Sequence, residues 1–360
     1  MSGSVRDISL SVILTCGATR VLSPRGKQVV SSASGGEAIG LAGSLGRGGM
    51  LFSTVVLVLC LLSSCATSVS RFLYHSVLLR APSLHPGRPP IVILHGLLGS
   101  SRNFQSWTRI LSQKLENAHD IVVIDLPLHG RSVALGNTLI DFQAIAKDVL
   151  FTLQKLGVTS CHLIGHSLGG KCVAQASLLS QKSDSPLEVL STTLIDISPI
   201  AYESEDFSGV LSTIDFLSST REEFSSAASR QDAMSVIQKS VEDKTLQQFL
   251  MSNLQPRSSG VGFDWKFLVD GIASSKERIL GFPLSPDGPT SFSRPVLLLK
   301  GSKSRFIKSS HMAAISELFP LFTLATIDAG HWLHQEKPEE SASAIAKFLG
   351  KVREFHEESK

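Results

Sequence analysis

A serine hydroxyl is a weak nucleophile at neutral pH and attacks a carbonyl only when a neighbouring base takes its proton. The segment Gly165-His166-Ser167-Leu168-Gly169 carries the G-x-S-x-G spacing that presents such a serine. The apolar run CHLI precedes it and the helix-compatible GGKCVAQASLLS follows. A sharp turn from strand to helix strains the serine backbone and exposes its Oγ, and glycines serve where side chains would collide with neighbouring elements. Ser167 is therefore the expected nucleophile. The expected base is His331, which follows Gly330 directly after the apolar run FTLATID. A loop at a strand end lets its imidazole turn toward the serine. His334, three residues on, reads as a surface residue or a support behind the site. His95, His129 and His166 read as structural.

A third group must orient the imidazole and stabilise its positive charge. The turn after PVLLLKG reads Gly301-Ser302-Lys303-Ser304 and offers no carboxylate. Asp196, in LIDISP, is the first candidate and gives the chain order Ser…Asp…His. Asp270, in WKFLVDGI, is the alternative acid. For the developing oxyanion, HGLLGS offers a glycine-bounded turn in which Gly96 and Gly99 let the backbone curl. The amides of Leu97 and Leu168 are the expected donors. Such a set needs no metal and no organic cofactor.

These groups need a rigid frame. IVILHG (91–96), IVVID (121–125), CHLIGHS (161–167), STTLIDIS (191–198), PVLLLKG (295–301) and FTLATID (322–328) are continuous apolar runs, the pattern of strands buried on both faces. In 142–156, Phe142, Ile145, Val149, Leu153 and Leu156 recur at helical spacing. Strands alternating with helices indicate an α/β fold, a mostly parallel sheet flanked by helices. Ligand chemistry in such sheets sits at the carboxyl ends of the strands, where every motif above falls. Residues 199–293 break the alternation with helical stretches at 208–218, 232–251 and 264–280. They are expected to form a helical cap inserted after the sixth strand, between core segments 71–198 and 294–360. Its Phe207, Phe216, Phe224, Phe249, Phe263, Trp265 and Phe267 are candidates to line an apolar acyl pocket or to pack the cap on the core.

Composition narrows the classes. Net charge is +3 over 360 residues, with 42% hydrophobic and 18% charged residues, so a large core is available and no strong field for nucleic acid is implied. Five cysteines, irregularly spaced, do not form a disulfide framework; Cys161 and Cys172 read as small buried hydrophobes. The first 49 residues are rich in Ser, Gly and Ala, with Asp7 and Glu37 as the only acids, which suits an organelle presequence such as a mitochondrial one. Residues 50–70 lack any charge and contain LFSTVVLVLCLL, which suits a membrane anchor, a cleaved signal or part of an organelle presequence equally well. Residues 1–70 are accordingly set apart as a targeting or anchoring segment. No oligomeric state is assigned.

The motifs HGLLGSSRNFQSW, HGRS, LIGHSLGGK, DISPI, QQFLMSNL, LLKGSKSRFI and AGHWLHQEKP together resemble the α/β-hydrolase superfamily. More specifically, they resemble the branch that holds the mitochondrial α/β-hydrolase domain-containing protein eleven and a small bacterial esterase. The resemblance runs from about Pro90 to Phe348. It implies hydrolysis of acyl esters, and by extension thioesters or lipids, through an acyl-enzyme. It also implies a helical cap, and it supports Asp196, because that branch lacks the usual acid after the late strand. The chain departs from the branch in its long N-terminus, in an insertion at SQKSDSPLEVLS and in DLPLHG. Two other functions remain open on the same residues. One is carbon–carbon bond hydrolysis, which keeps the serine. The other is a non-catalytic binding or partner-stabilising module.

Overall fold

The computed structural model describes residues 71–79, 88–136, 139–181, 185, 187–284 and 290–358, and three short strands nearer the N-terminus. Those strands, β1 (Val12–Thr15), β2 (Ala18–Leu22) and β3 (Gln28–Ser31), pair antiparallel in the order β1-β2-β3 within a unit that ends at Val69. The apolar stretch 50–70 expected as a targeting or membrane segment lies outside the described residues. Among the described residues no helix is long and apolar enough to cross a membrane.

The second unit, Ser70–Lys360, is built on one sheet. Its strands are β4 (His75–Leu79), β5 (Ile91–Leu94), β6 (Ile121–Ile124), β7 (Ser160–His166), β8 (Glu188–Ile195), β11 (Val296–Gly301) and β12 (Phe322–Ile327), in the order β12-β11-β8-β7-β5-β6-β4. All neighbours are parallel except β4, which runs antiparallel to β6. The six apolar runs are thus all strands. β4 escaped the sequence because it is an edge strand with polar His75 and Ser76 and an exposed Val77, so it lacks the unbroken apolar run of its neighbours.

Side chains alternate between two cores, as the two-residue period of a strand requires. Val92, Leu94, Val122 and Ile124 face helices α2 (Phe142–Lys155) and α3 (Leu168–Leu179). Ile91, Ile93, Ile121 and Val123 face α1 (Gln105–Lys114) and the long C-terminal helix α12 (Pro338–Glu358). Helix α2 begins where Asp141 accepts the Ala144 N–H, a side-chain cap for an orphan donor.

Between β8 and β11 the chain leaves the sheet. It forms α4 (Ser208–Ser219), α5 (Arg221–Ser226), α6 (Arg230–Gln238), α7 (Lys244–Ser252), a two-stranded ribbon of β9 (Leu254–Pro256) with β10 (Phe263–Trp265), and the short helices α8 (Val269–Ala273) and α9 (Lys276–Leu280). This insertion follows the fifth strand of the described sheet, where the sequence suggested the sixth. Two helical expectations are corrected. The stretch 232–251 is two helices, because Asp243 accepts the Leu246 N–H and starts a new one. The stretch 264–280 opens as a strand, since the positive-φ glycines Gly260 and Gly262 turn the chain back on β9.

Strand order reverses around β5. The chain passes from β5 to β6 on one side and returns to β7 on the other. The turn after β5 and the turn after β7 therefore flank a crevice at the carboxyl edge of the sheet, the place where open α/β sheets bind ligands.

Candidate active site

Ser167 is the single residue between β7 and α3. Its backbone has φ 52° and ψ −120°, a conformation that L side chains rarely adopt. The crowding of the turn accounts for the flanking glycines. A Cβ on Gly165 would lie 2.3 Å from the Gly169 carbonyl oxygen, and one on Gly169 would lie 2.4 Å from that of Leu94.

The hydroxyl meets the expected base. Ser167 Oγ lies 3.0 Å from His331 Nε2, across 164 residues of chain. His331 Nδ1 lies 2.7 Å from Asp196 Oδ2. An ionised carboxylate only accepts, so Nδ1 carries the proton and Nε2 is free to accept from the serine. Asp196 directly follows β8, with φ 53°, and is fully buried. Its other oxygen, Oδ1, accepts the Gly301 N–H at 2.9 Å. The residue that terminates β11 thus braces the acid, and the carboxylate that the turn at 301–304 lacks is offered by a neighbouring strand end. Asp270, the alternative, is elsewhere. Its carboxylate is 82% exposed and pairs with Arg221, whose hydrogen bond holds its pKa below the usual range.

The loop after β12 carries His331 across the ends of β11 and β8. Ser302 and Lys303 donate backbone N–H groups to Ile327 and Ala329, and His166 Nε2 donates to the His331 carbonyl at 3.0 Å. Phe306 closes on the imidazole with ring centroids 4.4 Å apart.

Four further histidines surround the site, all buried. His334, expected as surface or support, is 2% exposed and stacks on Phe104 at 4.7 Å, so it is a support. Burial, reinforced by the nearby His331, pushes its pKa down to about 3, and its Nδ1 has no hydrogen-bond partner among the described residues. Burial also lowers His166. His95 and His129 hold the turn after β5. Their Nε2 atoms accept the N–H groups of Leu126 and Leu98, each at 3.0 Å, while their Nδ1–H groups donate to the carbonyls of Gly96 and Pro127. Both are neutral tautomers. Burial lowers both pKa values, that of His129 to about 3.

The left-handed residue of the turn carrying Leu97 is Leu98, with φ 61°, and not Gly96 or Gly99; Gly96 instead allows close approach, since a Cβ there would lie 2.8 Å from His166 Nδ1. Leu168 opens α3, where first-turn N–H groups lack an intrahelical acceptor. Leu97 and Leu168 both line the cavity at Ser167. That cavity measures about 640 Å³ and is walled on its far side by the insertion, through Phe207, Val210, Leu246 and Phe249. Of the seven aromatics proposed as lining, only Phe207 and Phe249 reach it. Phe224, Phe263, Trp265 and Phe267 border a separate cavity, and Phe216 is buried in packing against Phe224. Cys161 and Cys172 are buried free thiols, with pKa values raised by burial, that of Cys161 to about 12. Among the described residues no cluster of His, Cys, Asp and Glu could hold a metal ion.

The chain is similar to known hydrolases. The family model described as "alpha/beta hydrolase fold" matches residues 89–338. The sn-1-specific diacylglycerol lipase ABHD11 of Danio rerio is 32% identical over 262 residues, covering 72% of this chain and 78% of that protein. Esterase YbfF of Escherichia coli (strain K12) is 29% identical over 262 residues, covering 72% of this chain and 92% of that protein. Among solved structures, a marine microorganism esterase superposes with TM-score 0.68 at 26% identity, over 78% of this chain and all of that one.

Proposed function

The chain belongs to the α/β-hydrolase fold family, and from that premise we propose that it cleaves acyl esters with Ser167 as nucleophile, His331 as general base and Asp196 as the orienting acid. The observation that carries this reading is the unbroken line Asp196–His331–Ser167, with contacts of 2.7 and 3.0 Å.

The chemistry runs as follows. Ser167 Oγ attacks the ester carbonyl while His331 Nε2 takes the hydroxyl proton. The imidazolium that forms is stabilised through Nδ1–H by Asp196, which stays ionised. Negative charge on the carbonyl oxygen is met by the backbone N–H groups of Leu97 and Leu168, and such a donor is worth about 100- to 1,000-fold in rate. His331 returns its proton to the leaving alkoxide, and the alcohol departs. Water then repeats the sequence on the acyl-enzyme, with His331 again as base, and releases the carboxylic acid. No step calls on a metal or an organic cofactor.

The substrate reading extends to lipid-like esters. It is supported by the apolar side chains of Phe207, Val210, Leu246 and Phe249 facing the serine, and by the diacylglycerol lipase named among the relatives. Thioesters fit the same acyl chemistry.

Covalent labelling with a fluorophosphonate probe tests the assignment. The wild-type protein should label and hydrolyse a p-nitrophenyl acyl ester, and Ser167→Ala should lose both while remaining folded. Labelling of folded Ser167→Ala at the wild-type rate would remove the serine from the mechanism.

A further inference from the structure

Lys171 stands four residues after Ser167, inside helix α3, and is 1% exposed. A fully buried ammonium is costly unless each of its three N–H donors finds an acceptor. Here Nζ donates to the carbonyls of Ile279, Leu280 and Gly281 at 3.0, 2.9 and 2.9 Å, the carboxyl end of helix α9. A helix C-terminus presents unpaired carbonyls and partial negative charge, so it suits a cation. The rings of Phe142, Tyr202 and Phe207 surround the same nitrogen, with centroids at 5.5, 4.8 and 5.5 Å. Among the described residues no carboxylate pairs with it.

Phe142 belongs to core helix α2, while the other partners lie in the insertion: Tyr202 and Phe207 in its first residues after β8, and Ile279–Gly281 at the end of its last helix, α9. The Tyr202 N–H also donates to the Leu280 carbonyl at 3.0 Å, so both ends meet directly over α3. With all three donors engaged, Lys171 has none left for a substrate.

We infer that Lys171 is a positioning residue that fastens both ends of the helical insertion to the nucleophile helix, and that it thereby sets the insertion's wall of the acyl cavity. The inference rests on the ester-hydrolase reading for its link to substrate. An acetyl group needs only the core side of the cavity, formed by Leu97, Leu98 and Leu168. A longer acyl chain must reach the side formed by Phe207, Val210 and Leu246, and it loses those contacts when the insertion is no longer held.

The test compares p-nitrophenyl acetate with p-nitrophenyl octanoate on Lys171→Met, which keeps an unbranched stem and removes the three donors. Each buried methylene contributes about four-fold in affinity, so losing contact with two of them should raise KM for octanoate roughly ten- to twenty-fold. KM and kcat for acetate should stay within about three-fold, the pattern of lost binding contacts and intact chemistry. Lys171→Arg, which retains charged donors, should recover part of the octanoate KM. A folded Lys171→Met protein whose two KM values move together would overturn the inference.

Hydrogen exchange reads the same latch without catalysis. Amides at 200–207 and 276–281 should exchange faster in the variant than in wild type, whereas unchanged protection would also overturn the inference. Should Lys171→Met fail to fold, Lys171→Gln, which keeps only two N–H donors, decides: a raised octanoate KM with acetate KM unchanged and faster exchange at the two segments supports the latch, and KM values that move together or unchanged protection overturn it. A wild-type protein that hydrolyses neither ester would defeat the ester-hydrolase reading instead, and exchange at these two segments would still test the latch.

Discussion

Ser167 and Asp196 share an uncommon backbone. Both are non-glycine residues with φ just above 50°, and each directly follows a central strand. Such a conformation costs on the order of 1–3 kcal/mol and persists because the surroundings over-determine it. At Ser167 the Ile195 carbonyl accepts the serine N–H. At Asp196 the Leu299 carbonyl accepts the aspartate N–H while Gly301 donates to the side chain. These bonds leave the carboxylate one direction, toward His331 Nδ1. In Asp196→Asn the amide keeps the shape but can present a donor to Nδ1, so the imidazole is held in the wrong tautomer. We expect kcat to fall by about 10³- to 10⁴-fold with KM little changed. Asp270→Asn, which breaks only an exposed pair with Arg221, should leave turnover at the wild-type level. Steady-state kinetics on both variants separates the two acids, and near-normal kcat in Asp196→Asn would reject the assignment.

At the scale of elements, the turn after β5 illustrates how much positioning is done by groups that never meet a substrate. The Leu98 N–H is buried and, among the described residues, is satisfied by His129 Nε2, from the turn after β6. His129→Phe fills similar space and leaves that donor unpaired, which costs about 1–3 kcal/mol of stability. The adjacent Leu97 amide would then lose its aim. Chemical denaturation should show the stability loss, and kcat should drop by about ten-fold, less than the 100- to 1,000-fold that follows outright removal of an oxyanion donor. An unchanged kcat in a destabilised His129→Phe protein would limit the residue to packing. The insertion shows the limits of periodicity at this scale. Residues 264–280 carry apolar side chains at spacings that suit a helix, yet Phe263–Trp265 extends along Leu254–Pro256 because the glycine turn between them brings the strands into register. Tertiary pairing overrides a weak local preference there.

For the molecule as a whole, the cluster of buried imidazoles sets a dependence on pH. His129 and His334 are held neutral by burial, with pKa values near 3 against an ordinary 6.5, and burial lowers His95 and His166 in the same direction. In the unfolded chain these side chains take up protons below about pH 6.5. The folded state does not until the pH approaches the lowered values. The unfolded state therefore binds more protons across that window, so stability is fully present above 6.5 and is lost as pH falls toward 3. Thermal unfolding between pH 8 and pH 4 should show a Tm that is level at the upper end and declines steadily below about 6.5. A Tm independent of pH through that range would mean that the imidazoles are not held as described.

The sequence by itself determined the α/β architecture and the six strands of the apolar runs, and it offered Ser167, His331 and Asp196 as the residues to consider first. Those features are local. Continuous apolar runs specify strands, buried in all but β12, which is a sheet edge with an exposed Leu324, and a glycine-bounded serine between strand and helix specifies its own turn. What only the tertiary structure decided is everything that depends on distant segments meeting. Choosing Asp196 over Asp270 required seeing which carboxylate was buried beside Nδ1 and which faced solvent. Assigning Phe207 and Phe249 to the cavity at Ser167, and their fellow aromatics to a separate cavity or to packing, required the path of the insertion. The partners of His129 and Lys171 lie 31 and about 108 residues away, and no spacing rule encodes a contact of that kind. It arises because a buried donor or acceptor must be satisfied by whatever the fold brings beside it.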